Sequence, residues 1–220
     1  MQMDREALEG IENLRVAYYS WPSKSISVGA LFDPSMLLDL EALAHGGWTL
    51  YSRTGGGGVM FHGGDICFSL AAPASHPLFS MTVLESYRAI HQALAKALCD
   101  INPELKNRLS FASDNQQATG VKNYLQSCCL AQSTIYDLLL DGKKVAGCSQ
   151  RRRKALIHQI SLSLELPNWD ELKKLFREQG DIDTIMRRNY CALGSFLSKE
   201  RAEIAKEIAS SLAKALKSSF

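Results

Sequence analysis

Apolar and polar residues alternate in short runs through the first third of the chain. Leu14 to Tyr19 and Ser25 to Ala30 read as strands joined through Trp21-Pro22. Trp48 to Ser52 and Asp65 to Leu70 repeat the pattern on either side of a glycine run. The period then lengthens: Tyr87, Ile90, Leu94, Leu98 and Ile101 recur at helical spacing behind a capping box at Thr82-Val83-Leu84-Glu85. Residues 102–127 are polar and irregular and read as a mobile loop of the kind that serves as a lid. Ile135 to Leu140 and Lys143 to Cys148 form the arms of a hairpin about Asp141-Gly142, and Lys154 to Leu164 alternates as a further strand. Past Pro167 the pattern is helical. Asn168 caps a helix with Leu172, Leu175 and Phe176 inward, ending at Gly180, and Ile204, Ile208, Leu212 and Leu216 form one stripe of a helix from Lys199 to Lys217. The expected class is α/β in the broad sense (α+β), a mixed and mostly antiparallel sheet with packed helices. Residues 1–166 carry the sheet, and 167–220 form a helical segment packed on the same domain.

A chain of 220 residues with 46% hydrophobic content can bury a sizeable core. Its net charge of +2 is too mild for bulk nucleic-acid binding. No apolar stretch has the length of a signal peptide or a membrane span, so a cytoplasmic protein off the membrane is expected. The six cysteines, at 67, 99, 128, 129, 148 and 191, form no Cys-x-x-Cys pair. Adjacent Cys128 and Cys129 are poorly placed for a disulfide with one another. Reduced thiols and no metal site are expected.

The densest local signal is Ser52-Arg53-Thr54-Gly55-Gly56-Gly57-Gly58-Val59-Met60-Phe61-His62. Each glycine loses more backbone entropy on folding than alanine would, so four in a row point to conformations or close approaches that a Cβ would block. The run lacks the Lys-Ser/Thr ending of a phosphate-binding loop and leads into a strand rather than a helix, which excludes both common nucleotide motifs. An anion or carbonyl cradle remains, with Arg53 and His62 adding charge and donors. A second cluster follows the Asp-Gly turn, where Lys144 and Gly147 share the second arm of the hairpin. A strand lysine beside a glycine cradle can polarise a carbonyl or neutralise a phosphate. Taken alone, the lysine is better read as a solvated edge-strand residue.

Together the two clusters resemble the lipoate–protein ligase and octanoyltransferase family, which shares its catalytic fold with biotin ligases. Arg53, Gly56-Gly57-Gly58 and Phe61-His62 match the first family motif without gaps, and Asp65 and Ser69 continue it. Lys144, Gly147, Ser149, Gln150, His158 and Gln159 match the second in order, so the likeness spans about residues 14 to 164. Ser52 replaces the first arginine of the pattern, Gly55 a hydroxyl residue and Ile160 a glycine.

The resemblance implies a protein-lipoylation enzyme. It would carry an octanoyl or lipoyl group onto one lysine of a lipoyl domain, in a 2-oxoacid dehydrogenase or the glycine-cleavage carrier protein, with the glycine loop and the lysine strand lining a narrow acyl tunnel. Catalysis would fall to Lys144 and to Cys129, which stands where one octanoyltransferase branch has its nucleophile. Substrate would be bound by Arg53, Gly56, Gly57, Gly58, His62, Gly147, Ser149 and His158, although a purely structural hydrogen-bonding role is the favoured reading for both histidines. Cys67 and Cys148 read as structural thiols, and Cys128 as a substitute for Cys129. A thioester relay of this kind needs no cofactor and takes its acyl group from an acyl carrier protein or a lipoylated carrier protein. The alternative in the same family is an ATP- and magnesium-dependent ligase that activates free lipoate or octanoate. About 56 residues follow position 164, less than the accessory domain many ligases carry, which favours the transferase, or a ligase whose accessory part is missing or separate. A third reading is an acyl-binding relative without turnover. The basic run Arg151-Arg152-Arg153-Lys154 could steer an acidic carrier or acceptor, but lacks the interleaved aromatics of a nucleic-acid site.

Overall fold

The computed structural model describes residues 2–113, 123–178 and 180–218. In chain order the elements are α1 (Gln2–Leu8), β1 (Arg15–Tyr19), β2 (Ser25–Gly29), α2 (Leu40–His45), β3 (Thr49–Arg53), β4 (Val59–His62), β5 (Asp65–Pro73), α3 (Pro77–Ser80), α4 (Val83–Ile101), β6 (Leu109–Phe111), β7 (Leu138–Leu140), β8 (Lys143–Arg152), β9 (Ala155–Ser163), α5 (Trp169–Lys173), α6 (Ile182–Asn189) and α7 (Arg201–Ser218). A six-stranded sheet in the order β1-β5-β9-β8-β7-β6 is antiparallel throughout. A three-stranded sheet, β3-β2-β4, joins β2 to β3 in parallel and to β4 antiparallel. The mixed, mostly antiparallel α+β architecture expected from the sequence is the one observed.

The capping box at Thr82 forms as its spacing predicts. Glu85 N donates to Thr82 Oγ1 (3.2 Å) and Thr82 N donates to Glu85 Oε2 (2.8 Å), a stabilisation of about 1 kcal/mol. From this start α4 lays Ile90, Leu94 and Leu98 onto the sheet, where they meet Phe68, Leu70 and, from α7, Ile204, Ile208 and Leu212. The final stripe is therefore a core stripe. A second core, with Ile26, Val59, Phe61, Leu38, Phe176 and Met186, lies under the small sheet. Strand β9 is covered on both sides, because Ala7 and Leu8 of α1 close over Ala71 and Ile157.

Two expectations change. The span 102–127 is not one irregular loop: a 3-10 turn at Pro103–Asn107 leads into β6, and another turn covers Asn123–Ser127. Residues 114–122 of that expected lid lie outside the described residues. The helix expected from Asn168 to Gly180 stops at Lys173. Beyond it the backbone extends to bridge Leu38 with Phe176, and Arg177 N donates to Leu37 O (3.1 Å). Burying Leu175 and Phe176 in the second core outweighs continuing the helical period.

Candidate active site

Lys144 owes its orientation to an irregularity in β8. Leu139 pairs with Lys144 but Leu138 with Ala146, so one extra residue bulges out of β8 at Val145. Lys144 and Gly147 stand three apart and would face opposite sides of a regular strand. The bulge brings them to the same side, and the lysine lies across the bare glycine: a Cβ on Gly147 would meet Lys144 Cε at 2.5 Å and Nζ at 2.8 Å. Nζ pairs with Asp137 Oδ2 (2.7 Å) and donates to Gln132 O (3.1 Å). An ammonium has three donors, so one N–H stays free for a ligand among the described residues. Burial opposes the charge, but the Asp137 carboxylate, with Cys129 behind it, outweighs burial and holds the Lys144 pKa above the ordinary lysine value. Asp137 also accepts from Thr134 N (2.8 Å) and Thr134 Oγ1 (3.1 Å), while its Oδ1 is buried without a partner.

The glycine loop positions Cys129. A Cβ on Gly58 would meet Ser127 O at 2.4 Å, so the absence of a side chain lets the Ser127–Cys129 turn close against the loop. Cys129 N then donates to Val59 O (3.0 Å), the residue after the run. Gly56 takes the left-handed conformation (φ +77°) and lies against Ser149, while the Cβ site of Gly57 is open. Much of the glycine requirement thus comes from backbone packing against neighbouring chain, beyond any ligand contact. Arg53 folds back onto its own loop, donating from Nη2 to Gly58 O (2.6 Å), with Nε buried and unpaired.

Two cavities meet at this point. A mostly apolar slot with an empty volume of about 450 Å³ is bordered by Tyr19, Trp21, Met60, His62, Ile160 and Tyr190, among others. A second chamber of about 580 Å³ is bordered by Gly56, Gly57, Gly58, Gln132 and Thr134. Arg53, Cys129, Lys144, Cys148 and Ser149 border both. At the apolar slot His62 stacks on Trp21 with ring centroids 4.6 Å apart. Its Nε2 meets Ser27 Oγ (2.6 Å) and its Nδ1 meets Asp65 Oδ2 (2.7 Å). Burial opposes ionisation of Asp65, yet His62, Ser161 and Cys67 together hold its pKa below the usual carboxylate range. Ser27, fully buried on β2, makes this network a polar wall of the slot.

Nine of the ten residues expected from the sequence border one or both cavities: Arg53, Gly56, Gly57, Gly58, His62, Cys129, Lys144, Gly147 and Ser149. His158 does not. Its ring is buried towards α4, with Nδ1 on the Gln150 side chain (3.1 Å) and Nε2 3.4 Å from His91 Nε2. The basic run is also spoken for. Arg152 turns inward to donate to Phe79 O (3.1 Å), Thr82 O (3.1 Å) and Ser86 Oγ (2.7 Å), Arg151 donates to Thr54 O (2.6 Å), and Arg153 and Lys154 pair with Glu9. It ties local chain together rather than offering four unpaired cations. Asp137, His91 and Tyr190 were not anticipated. Asp137 is the one acid inside the apolar arm Ile135 to Leu140, and His91 sits one turn from Tyr87 on the buried face of α4; both were visible as polar residues at core positions. Tyr190 gave no such signal: it reaches the slot through a parallel bridge with Lys144.

A family model described as the lipoyl protein ligase A/B catalytic domain matches residues 1–211. The chain belongs to this family. The match extends beyond 14–164 on both sides and takes in most of α7. Curated relatives include octanoyltransferase LipM of Macrococcus caseolyticus, 29% identical over 161 residues that cover 73% of this chain and 58% of that protein. Octanoyltransferase LipM of Bacillus subtilis is 27% identical over 177 residues, covering 80% and 63% respectively. The chain thus spans about three fifths of the length of these relatives. A bi-partite lipoate protein ligase from Thermoplasma acidophilum has a similar fold (TM-score 0.73, 16% identity, 98% of this chain and 79% of that one). So does a lipoate-protein ligase A bound with ATP (TM-score 0.69, 17% identity, 94% and 74%). Among the described residues no helix is long and apolar enough to cross a membrane.

Proposed function

We propose that this member of the lipoyl protein ligase A/B family transfers an octanoyl or lipoyl group to a lysine of a lipoyl-domain protein through a thioester on Cys129. The observation that carries this reading is the meeting of Cys129, the Lys144 ammonium and the glycine loop where an apolar slot joins a second chamber. The LipM names of the relatives support the transferase. An eight-carbon chain suits the apolar slot, and the chamber would admit the donor's thiol arm and then the acceptor lysine.

In the first step the Cys129 sulfur, as thiolate, bonds to the thioester carbonyl carbon. The free N–H of Lys144 donates to the oxygen as it becomes negative, and the carrier thiolate leaves. In the second step the acceptor amine bonds to the same carbon, the carbon–sulfur bond to Cys129 breaks, and the departing thiolate takes up the proton the amine releases. Lys144 is suited to this role because Asp137 and the Gln132 carbonyl already hold it, so little reorganisation accompanies reaction. The donor in this reading is an acyl carrier protein or a lipoylated carrier protein. Cysteines free of disulfides support a cytoplasmic setting.

The test is incubation with a lipoyl-domain acceptor and either octanoyl carrier protein or free lipoate, with and without ATP and magnesium. Acceptor modified from the thioester without ATP, and lost in Cys129→Ala, supports the relay. Modification that needs free acid, ATP and magnesium and survives Cys129→Ala would replace it with the ligase. No modified acceptor under any condition would favour an acyl-binding protein without turnover.

A further inference from the structure

Cys129 has no imidazole in contact with its sulfur among the described residues, but the other thiol that borders both cavities does. His91 Nε2 meets Cys148 Sγ, and His91 Nδ1 meets the Tyr136 carbonyl. A carbonyl can only accept, so Nδ1 carries the proton and the Nε2 lone pair faces the sulfur. Behind this pair His158 is held in turn. The orientation that satisfies the whole Gln150 amide puts its oxygen on Arg152 Nε (3.0 Å), while its NH2 donates to His158 Nδ1 (3.1 Å). His158 Nε2 lies 3.4 Å from His91 Nε2, beside the base and at the edge of hydrogen-bond range. The Cys148 thiol, the His91 base and the Tyr136 carbonyl that orients the base make the arrangement by which weak nucleophiles are activated.

The support for this pair comes from the same turn that supports Lys144. Tyr136 is in the left-handed region (φ +66°), an uncommon conformation for a bulky side chain. Its carbonyl orients His91, and the next residue, Asp137, grips Lys144. One strained turn thus sets the base for Cys148 and the ammonium at the cavity junction. Strand β7 starts only at Leu138, so among the described residues the β8 edge at Gly147 and Cys148 has no partner strand on that side.

We propose that Cys148 is a second acyl-accepting thiol of this site, with His91 as its general base; this rests on the acyl-transfer reading above. As the Cys148 sulfur bonds to the carbonyl carbon of an acyl thioester, its proton passes to His91 Nε2. The carbon–sulfur bond of the donor then breaks, and the donor thiol leaves with that proton. The donor is either a carrier thioester or acyl-Cys129, so the two thiols can exchange the acyl group without an external reactant.

Peptide mass mapping after exposure to S-octanoyl-N-acetylcysteamine tests the proposal, with Cys99 and Cys191, which border neither cavity, as internal controls. The wild type and Cys129→Ala are expected to carry octanoyl on the Cys148 peptide in excess of both controls, and Cys148→Ser to lose it. His91→Gln is expected to slow its appearance about 100-fold, the usual contribution of a positioned base. If His91→Gln does not fold, the map of Cys129→Ala still decides. Octanoyl on Cys129 of the wild type with none on Cys148 of the Cys129→Ala variant, or Cys148 labelled no faster than the controls, overturns the proposal and leaves the Cys129 relay standing. No adduct at either thiol overturns the relay and the proposal together.

Discussion

Lys144 lies over Gly147 so closely that a methyl group there would come within 2.5 Å of its Cε and 2.8 Å of its Nζ. The colliding atoms are the far end of a flexible side chain, so Gly147→Ala can be relieved by moving the ammonium rather than the backbone. The variant is expected to fold with a stability loss of about 1 kcal/mol and to lose transfer activity by about 100-fold, because a displacement of roughly 1 Å at a reacting centre has that effect. Thermal melting and single-turnover transfer measured together check this. Unchanged turnover would mean that the position of Lys144 is irrelevant to the chemistry.

The Lys144–Asp137 pair is buried, so breaking it should be far more damaging than removing it whole. Asp137→Asn leaves a buried ammonium without its counter-charge and is expected to destabilise by about 3–5 kcal/mol in urea unfolding. The double change Asp137→Leu with Lys144→Met should recover most of that while remaining inactive. The pH dependence follows from the raised Lys144 pKa. The folded state holds this proton more tightly than the unfolded chain, so the contribution is fully present below the ordinary lysine value of 10.5 and fades as pH rises through the higher folded value. Denaturation midpoints on the alkaline side should therefore fall more steeply for wild type than for the double variant.

How much of this site the sequence disclosed depends on what each residue needed to be noticed. Lys144, Gly147 and the glycine run are unusual residue types in an ordered spacing, and the structure brings them to one junction. Cys129 stood out through the family resemblance of its place before the hairpin, and it borders both cavities. Asp137 stood out only as an acid inside an apolar arm; its role beside Tyr136 was hidden, because the turn that aims them arises from tertiary pairing: Tyr136 N donates to Ala112 O (2.9 Å), a partner distant in sequence. The bulge at Val145 is likewise a property of two strands and leaves no mark on either alone. The same logic explains α5, where local helical spacing ran on to Phe176 but the Leu38 bridge ended the helix early.

His91 and His158 give the fold an acid sensitivity. Burial is the main cause that lowers both pKa values, His158 further because of the neighbouring His91, whereas Asp137 pulls His91 back upward and Lys144 adds to the lowering. Such groups are protonated more readily in the unfolded chain, so stability present above the ordinary imidazole value of 6.5 declines as pH falls below it towards the folded values. Melting temperatures of the wild type should drop across that window. His158→Gln, which keeps an amide able to meet Gln150, should reduce the slope by about half, since one of the two protonation sites is gone. Equal slopes for the two proteins would show that the acid response arises elsewhere.

Gly58 tests whether the glycine loop holds Cys129 in place. Its missing Cβ admits Ser127 O, and that atom is backbone, so unlike Gly147→Ala there is no flexible side chain to move aside. Gly58→Ala should push the Ser127–Cys129 turn away, weaken the Cys129 N to Val59 O hydrogen bond and destabilise the protein by about 1–3 kcal/mol. Because Cys129 moves while Lys144 keeps Asp137 and Gln132, acylation of Cys129 by an octanoyl thioester should fall by about 100-fold or more. Gly57→Ala, whose Cβ would enter open space at the chamber, is the matched control and should leave both the melting temperature and the Cys129 turn unchanged. Measuring acylation rate and unfolding midpoint for the pair separates the two outcomes: equal effects from both substitutions would mean that the loop acts through ligand contact alone and does not position the thiol.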